Sequence, residues 1–182
     1  HYSVHTNQLA ILTGIVQGQT AADLMRKTLA PEASMIGPTI YWKFYQFEAL
    51  HCAGLNDQYL QHLDLWTTMI RAGVTTWPET GLESRSECHA WGASPNYHLY
   101  KITAGIEPGA PAFAEVHIQP GLREGEQLRA TYPHPKGLIR LDLAVQAGRL
   151  SGTVTLPADL RGQLFWKEQS IELKGQQQVH IP

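Results

Sequence analysis

Two short segments carry most of the side chains in this chain that could do chemistry. The first is Thr75-Thr76-Trp77-Pro78-Glu79-Thr80, a carboxylate behind an indole and a proline, inside a stretch from Val74 to Cys88 without helical or strand periodicity. Long irregular stretches between regular elements are more often functional than idle. Taken as one residue, however, Glu79 reads first as a solvated loop acid. The second segment is Ser84-Arg85-Ser86-Glu87-Cys88-His89-Ala90-Trp91, which places a guanidinium, an imidazole and an indole within seven positions. Indole faces stack on sugar rings, and Arg and His donate to hydroxyls, so this mixture suits a polar, ring-shaped ligand. The plain alternative is a helix start with Trp91 as core filler.

Other site chemistries fare worse. His51-Cys52 and Cys88-His89 lack the C-x₂-C or H-x₃-H spacing that makes zinc credible, so no metal is expected. There is no G-x-S-x-G elbow, no P-loop and no G-x-G-x-x-G, and no cofactor is implied. A Cys88 nucleophile beside His89 is a weak reading, because adjacent residues seldom align for proton transfer.

Composition narrows the classes. The chain has 182 residues, with Lys plus Arg 14, Asp plus Glu 16 and a net charge of −2. Without a basic excess, a role that depends on phosphate neutralisation has little support. Hydrophobic residues at 43% against 16% charged describe a globular chain. No apolar run approaches the ~20 residues of a spanning helix. Two cysteines are too few for a disulfide framework, and Cys52, within a helical pattern, reads as a buried thiol.

The elements that must position these residues change character near Gly105. Twelve aromatics lie in residues 1–105 and four in 106–182, and helical spacing gives way to alternation. Helices are expected from Thr6 to about Val16 (Leu9, Leu12, Ile15 and Val16 on one side), over Ala21–Leu29 with Thr20 as N-cap and a stop at Ala30-Pro31, and from Gly37-Pro38 to Gly54. Two more run from Asn56 or Asp57 to Gly73 and from Ser94-Pro95 to Gly105. Short loops join them as antiparallel hairpins. Beyond a rigid connector at Glu107–Pro111, strands are expected at 114–118, 139–145, 150–156, 163–167 and 177–181, with turns between them, as in an antiparallel sandwich. The fold class is α+β, with helical hairpins over 1–105 and a small sandwich over 106–182.

Three groups of residues resemble the C-terminal part of bacterial α-L-rhamnosidases, glycoside hydrolase family 78. They are Tyr2-Ser3-Val4-His5-Thr6-Asn7, then Gly73–Glu79 with Ser84–Pro95, and finally Gly105-Ile106-Glu107-Pro108, Phe113, Val116–Pro120 and Thr131–Gly137. The Cys-His-Ala-Trp cluster is the more specific part. Pro78, and Glu87 before the cysteine, depart from the commoner pattern. The resemblance implies an (α/α)₆ barrel of six hairpins followed by a β-sandwich. Twelve helices are needed and about five are legible, so this chain is expected to be a C-terminal fragment.

By the same resemblance, the activity is inverting hydrolysis of rhamnose-containing glycosides or polysaccharides. Glu79 corresponds to the general base, and the general acid lies ahead of residue 1. His89 corresponds to a sugar-contacting histidine, with Trp91, Arg85, Trp77 and His5 as wall or supporting residues. Glu83 and Glu87 are rival acids in the same loop. The sequence begins at His1 with no secretory signal in view, and any such signal would lie on the absent part. A stand-alone carbohydrate- or partner-binding module is the alternative. The broader six-hairpin class also includes glucosidases and unsaturated glucuronyl hydrolases. An apolar flank left by missing hairpins would promote self-association.

Overall fold

A computed structural model describes residues 3–30 and 34–182. Tyr2 of the first motif and Pro31 of the expected helix stop lie outside the described residues. The chain forms two compact units that divide between His98 and Leu99, earlier than the change of pattern at Gly105.

The first unit is helical. Its α-helices are α1 (Val4–Leu12), α2 (Gly18–Leu29), α3 (Ile40–Cys52), α4 (Asp64–Arg71) and the short α5 (Ser94–His98), with 3₁₀ turns at Asn56–His62 and Ala90–Ala93. The expected helix starts need correction. Helix α2 begins before Thr20, whose neighbour Asp23 instead accepts from Gln19 Nε2 at 2.7 Å and Arg26 Nη1 at 3.0 Å. In α3 it is Thr39 that caps, its hydroxyl accepting from Trp42 N. The fourth helix is really a 3₁₀ turn and α4 in succession, and the last expected helix is split into α5 and a π-turn at Leu99–Thr103, with the 3₁₀ turn at Ala90–Ala93 ahead of it.

Packing explains which faces are buried. Helix α3 touches α1, α2, α5 and both 3₁₀ turns, so it buries Ile40, Gln46, Phe47, Ala49 and Leu50 at once. Around Phe47 stand the rings of Tyr59, Trp66 and His98, at 4.9, 5.9 and 5.4 Å. His98 is fully buried, with Nε2 3.0 Å from Glu48 Oε1 and Nδ1 3.1 Å from the Ser94 carbonyl, which ties α5 to α3. In α1 the buried residues are Val4, Gln8 and Ile11, while Leu9 is 45% and Ile15 81% exposed. The expected Leu9–Leu12–Ile15 face is therefore the outer one. This helix is apolar on more than one side, so period alone could not choose between its faces. Cys52, at the last turn of α3, is exposed rather than buried.

The second unit holds eight strands: β1 (Ile106–Pro108), β2 (Glu115–Ile118), β3 (Gln127–His134), β4 (Gly137–Gln146), β5 (Arg149–Thr155), β6 (Arg161–Trp166), β7 (Gln169–Lys174) and β8 (Gln176–Ile181). They form two four-stranded sheets, ordered β1-β2-β6-β7 and β3-β4-β5-β8. Alternation places Ile139, Leu141, Leu143 and Val145 of β4 in the core. There they meet Val116, Ile118, Leu164 and Trp166 of the other sheet in one cluster.

The sequence reading omits β1, β3 and β7. Strand β1 hides in the proline-bearing connector. Strand β3 includes Pro133, which reads as a breaker but pairs with Leu138 near the strand end. The arrangement is not antiparallel throughout, because β2 and β6 pair in parallel. A parallel pair needs a long crossover, and strands β3–β5 supply it. No helix among the described residues is long and apolar enough to cross a membrane.

Candidate active site

The stretch expected to lack structure is a folded clip. Residues 76–79 and 86–89 run back along one another: Glu79 N donates to Ser86 O at 3.0 Å, His89 N donates to Trp77 O at 2.7 Å, and the Thr76 hydroxyl donates to Glu87 O. Gly81, with φ +125°, turns the tip, a conformation that a residue with a Cβ rarely adopts. The Ser84 hydroxyl donates to Ser86 O at 2.9 Å and steadies the return limb. Period-based reading misses such a clip because side-chain and isolated backbone bonds hold it rather than a ladder.

Across the clip, Arg85 grips Glu79. Nε stands 2.8 Å from Oε2 and Nη2 3.2 Å from Oε1, a two-pronged pair. The Glu79 side chain is 26% exposed and that of Arg85 86%. The Arg85 hydrogen bonds hold the Glu79 carboxyl below the usual carboxylate range. Partial burial opposes them, and the charges of Arg85 and His89 add to them. Glu83 and Glu87 are exposed, without a comparable partner among the described residues.

His89 packs against Trp91, with ring centroids 4.1 Å apart and the planes tilted by 43°. Its Nε2 is buried and meets no hydrogen-bonding partner among the described residues. From Trp91 a strip of rings continues along α3: Tyr41 lies 5.7 Å from Trp91, Tyr45 5.9 Å from Tyr41, Trp42 4.9 Å from Tyr45, and His5 of α1 4.5 Å from Trp42. Gln8 pins the strip by accepting from Trp42 Nε1 at 2.7 Å. Tyr41, Phe44 and Tyr45 face Ala90, Trp91 and Ser94 across an open recess of 340 Å³.

Trp77 stands apart from the strip. A Cβ on Gly92 would sit 2.4 Å from Trp77 Cβ, so the indole lies against bare glycine backbone. On the other side, the Gly92 carbonyl accepts from Trp66 Nε1 at 2.7 Å.

No protein-family model and no curated protein sequence matches this chain. Solved structures do. Against the crystal structure of a family 78 rhamnosidase from Bacillus sp. GL1 the TM-score is 0.75 at 26% identity, over 92% of this chain and 19% of that one. Against the native α-L-rhamnosidase of Aspergillus terreus it is 0.78 at 14% identity, over 98% and 24%. Against the α-L-rhamnosidase of Dictyoglumus thermophilum it is 0.77 at 16% identity, over 98% and 25%. This chain resembles the family 78 rhamnosidases. It spans between 19% and 25% of the length of these three proteins.

In this rhamnosidase-like unit, the six residues singled out from sequence fall into three places. Glu79 and Arg85 face one another across the clip. His89 and Trp91 pack together beside them, with His5 joined through the rings of α3. Trp77 is part of the clip and lies against Gly92. Tyr41, Trp42 and Tyr45 are the residues that sequence reading missed as site candidates. Their signal was a second aromatic stripe on α3, beside the apolar stripe that makes the core.

Proposed function

We propose that this chain is the C-terminal part of an inverting glycoside hydrolase similar to α-L-rhamnosidase, which releases terminal α-L-rhamnose from glycosides or polysaccharides. Glu79 is its general base, and the general acid is contributed by polypeptide outside this chain. Inversion needs one carboxylic acid to protonate the leaving oxygen and one carboxylate to activate water on the opposite ring face. The observation that carries the reading is the setting of Glu79. Its partly buried carboxylate is fixed in the clip by Arg85 and lies within electrostatic reach of His89, which packs against the half-exposed Trp91. A base must be ionised before it can take a proton. Two lone-pair positions on the carboxylate remain for water once Arg85 has taken two.

The helices support the architecture. In α1 and α3 the apolar residues are not gathered on one side, whereas α2 and α4 are strongly one-sided. That alternation suits inner and outer helices of an (α/α)₆ barrel, with residues 1–105 as its last hairpins and residues 106–182 as a β-sandwich.

The test is turnover of an aryl α-L-rhamnoside. The chain alone is expected to be inactive, and Glu79→Gln in the whole protein is expected to cost ~10²–10⁴-fold in kcat. Turnover by this chain alone at the rate of the whole protein, or full activity in E79Q, would overturn the proposal.

The open aromatic recess favours a second reading, a carbohydrate-binding module without catalysis, in which Glu79 only accepts hydrogen bonds. Saccharide binding without turnover by the whole protein would select it.

A further inference from the structure

We infer that Arg85 is the positioning residue of Glu79: the clip folds its guanidinium back so that it fixes both carboxylate oxygens and leaves Oε1 as the one presented to water. This inference rests on Glu79 being the general base.

Four observations converge. The pair is two-pronged but uneven, 2.8 Å at Oε2 and 3.2 Å at Oε1. The shorter bond anchors one oxygen, and the longer one leaves the other more of its acceptor capacity. A planar fork also fixes the plane of the carboxylate, which a lone ammonium would not. The backbone delivers Arg85 to this place: the bond from Glu79 N to Ser86 O, the Gly81 turn and the Ser84 hydroxyl leave the residue between Ser84 and Ser86 opposite Glu79. Finally, Arg85 is far more exposed than its partner. An exposed ion pair contributes little to stability, so a stabilising role does not account for a clip built to hold it. The pair uses Nε and one Nη2 hydrogen of the five guanidinium donors, so the kinetic arm of the experiment is what separates positioning of Glu79 from contact with substrate. The depressed titration of Glu79 agrees with this geometry.

The consequence concerns pH. Kinetic parameters that need Glu79 ionised should hold their value down to acid pH while Arg85 is in place, and should fall at higher pH without it.

The experiment has two arms. In the first, the Glu79 carboxyl of this chain is titrated by carbon-detected NMR in wild type, Arg85→Gln and Arg85→Lys. The midpoint is expected to rise in R85Q and less in R85K. In the second, kcat and KM of the whole protein are followed against pH. R85Q should shift the acid limb upward and lower kcat, up to ~10²-fold if the carboxylate drifts by about 1 Å, with KM little changed.

A raised KM with an unmoved acid limb would make Arg85 a substrate contact and overturn the inference, as would an unmoved Glu79 midpoint. Should R85Q not fold, R85K carries both arms. The arms separate this inference from the reading beneath it. Full activity in E79Q defeats the base assignment whatever the NMR shows, whereas an unmoved midpoint defeats only the role of Arg85.

Discussion

The two units of this chain handle apolar surface in opposite ways. The β unit closes on itself: side chains from both sheets meet in one cluster, and Val116, Ile118, Ile139, Leu150, Leu160 and Leu164 are wholly buried. The helical unit is open. Of the large hydrophobic residues that remain exposed among the described ones, most lie there, including Ile15, Ile36, Ile70, Tyr97, Tyr41 at 50% and Trp91 at 39%. The comparison teaches where function can reside. A closed core spends its apolar side chains on its own packing, whereas an open helical face presents rings to a ligand or to further polypeptide.

Substitutions can break or sharpen that contrast. The largest effect belongs to the closed side. Leu141→Ala, in the middle of β4, is expected to cost ~2–5 kcal/mol, read by urea unfolding, with the loss of hydrogen-exchange protection concentrated in the strands. A loss under about 1 kcal/mol would mean that the sheets are less tightly packed than their burial states. Next is Gly92→Ala on the open side, where the new methyl meets Trp77. Overpacking of this kind costs ~1–3 kcal/mol, and the His89–Trp91 packing should be disturbed, visible as a change in tryptophan fluorescence.

Smaller again is association. The isolated chain should elute at increasing apparent size as concentration rises, and Tyr41→Ser with Trp91→Ser should move it toward monomer without lowering its Tm by more than a few degrees. A dilute monomer that stays monomeric when concentrated would show that the open face is not adhesive.

The smallest effect is electrostatic. Because the folded state depresses Glu79, its pairing with Arg85 favours folding above the ordinary carboxylate range, and that contribution fades as pH falls through the folded value. Stability should therefore decline slightly on acidification in wild type and less in E79Q. Comparing Tm between neutral and mildly acid pH in the two proteins measures the difference.

Much of this was legible without coordinates. Strand β4 shows itself through strict alternation at Ile139, Leu141, Leu143 and Val145, and α4 through apolar residues on one side only, because each has one face in water and one in a core. Helices α1 and α3 were legible as helices but not as faces, since their apolar residues run round the cylinder. Strands β1 and β3 were masked by Pro108 and Pro133, which lie at or near the strand ends. At the site, residue types alone read Glu79 first as a solvated loop acid and left Arg85, His89 and Trp91 balanced between a ligand site and a helix start; the family resemblance is what singled them out. That Arg85 pairs with Glu79 across the clip was invisible in the order of letters.

The sequence by itself determined the α+β class, the succession of helical then alternating segments, and the chemistry on offer, because periodicity and side-chain type are local properties. The tertiary structure decided the parallel pairing of β2 with β6, the outer face of α1, and the clip that lays Arg85 against Glu79. Those depend on contacts between residues distant in the chain or on single backbone bonds around a glycine turn, and neither leaves a repeating trace in the sequence.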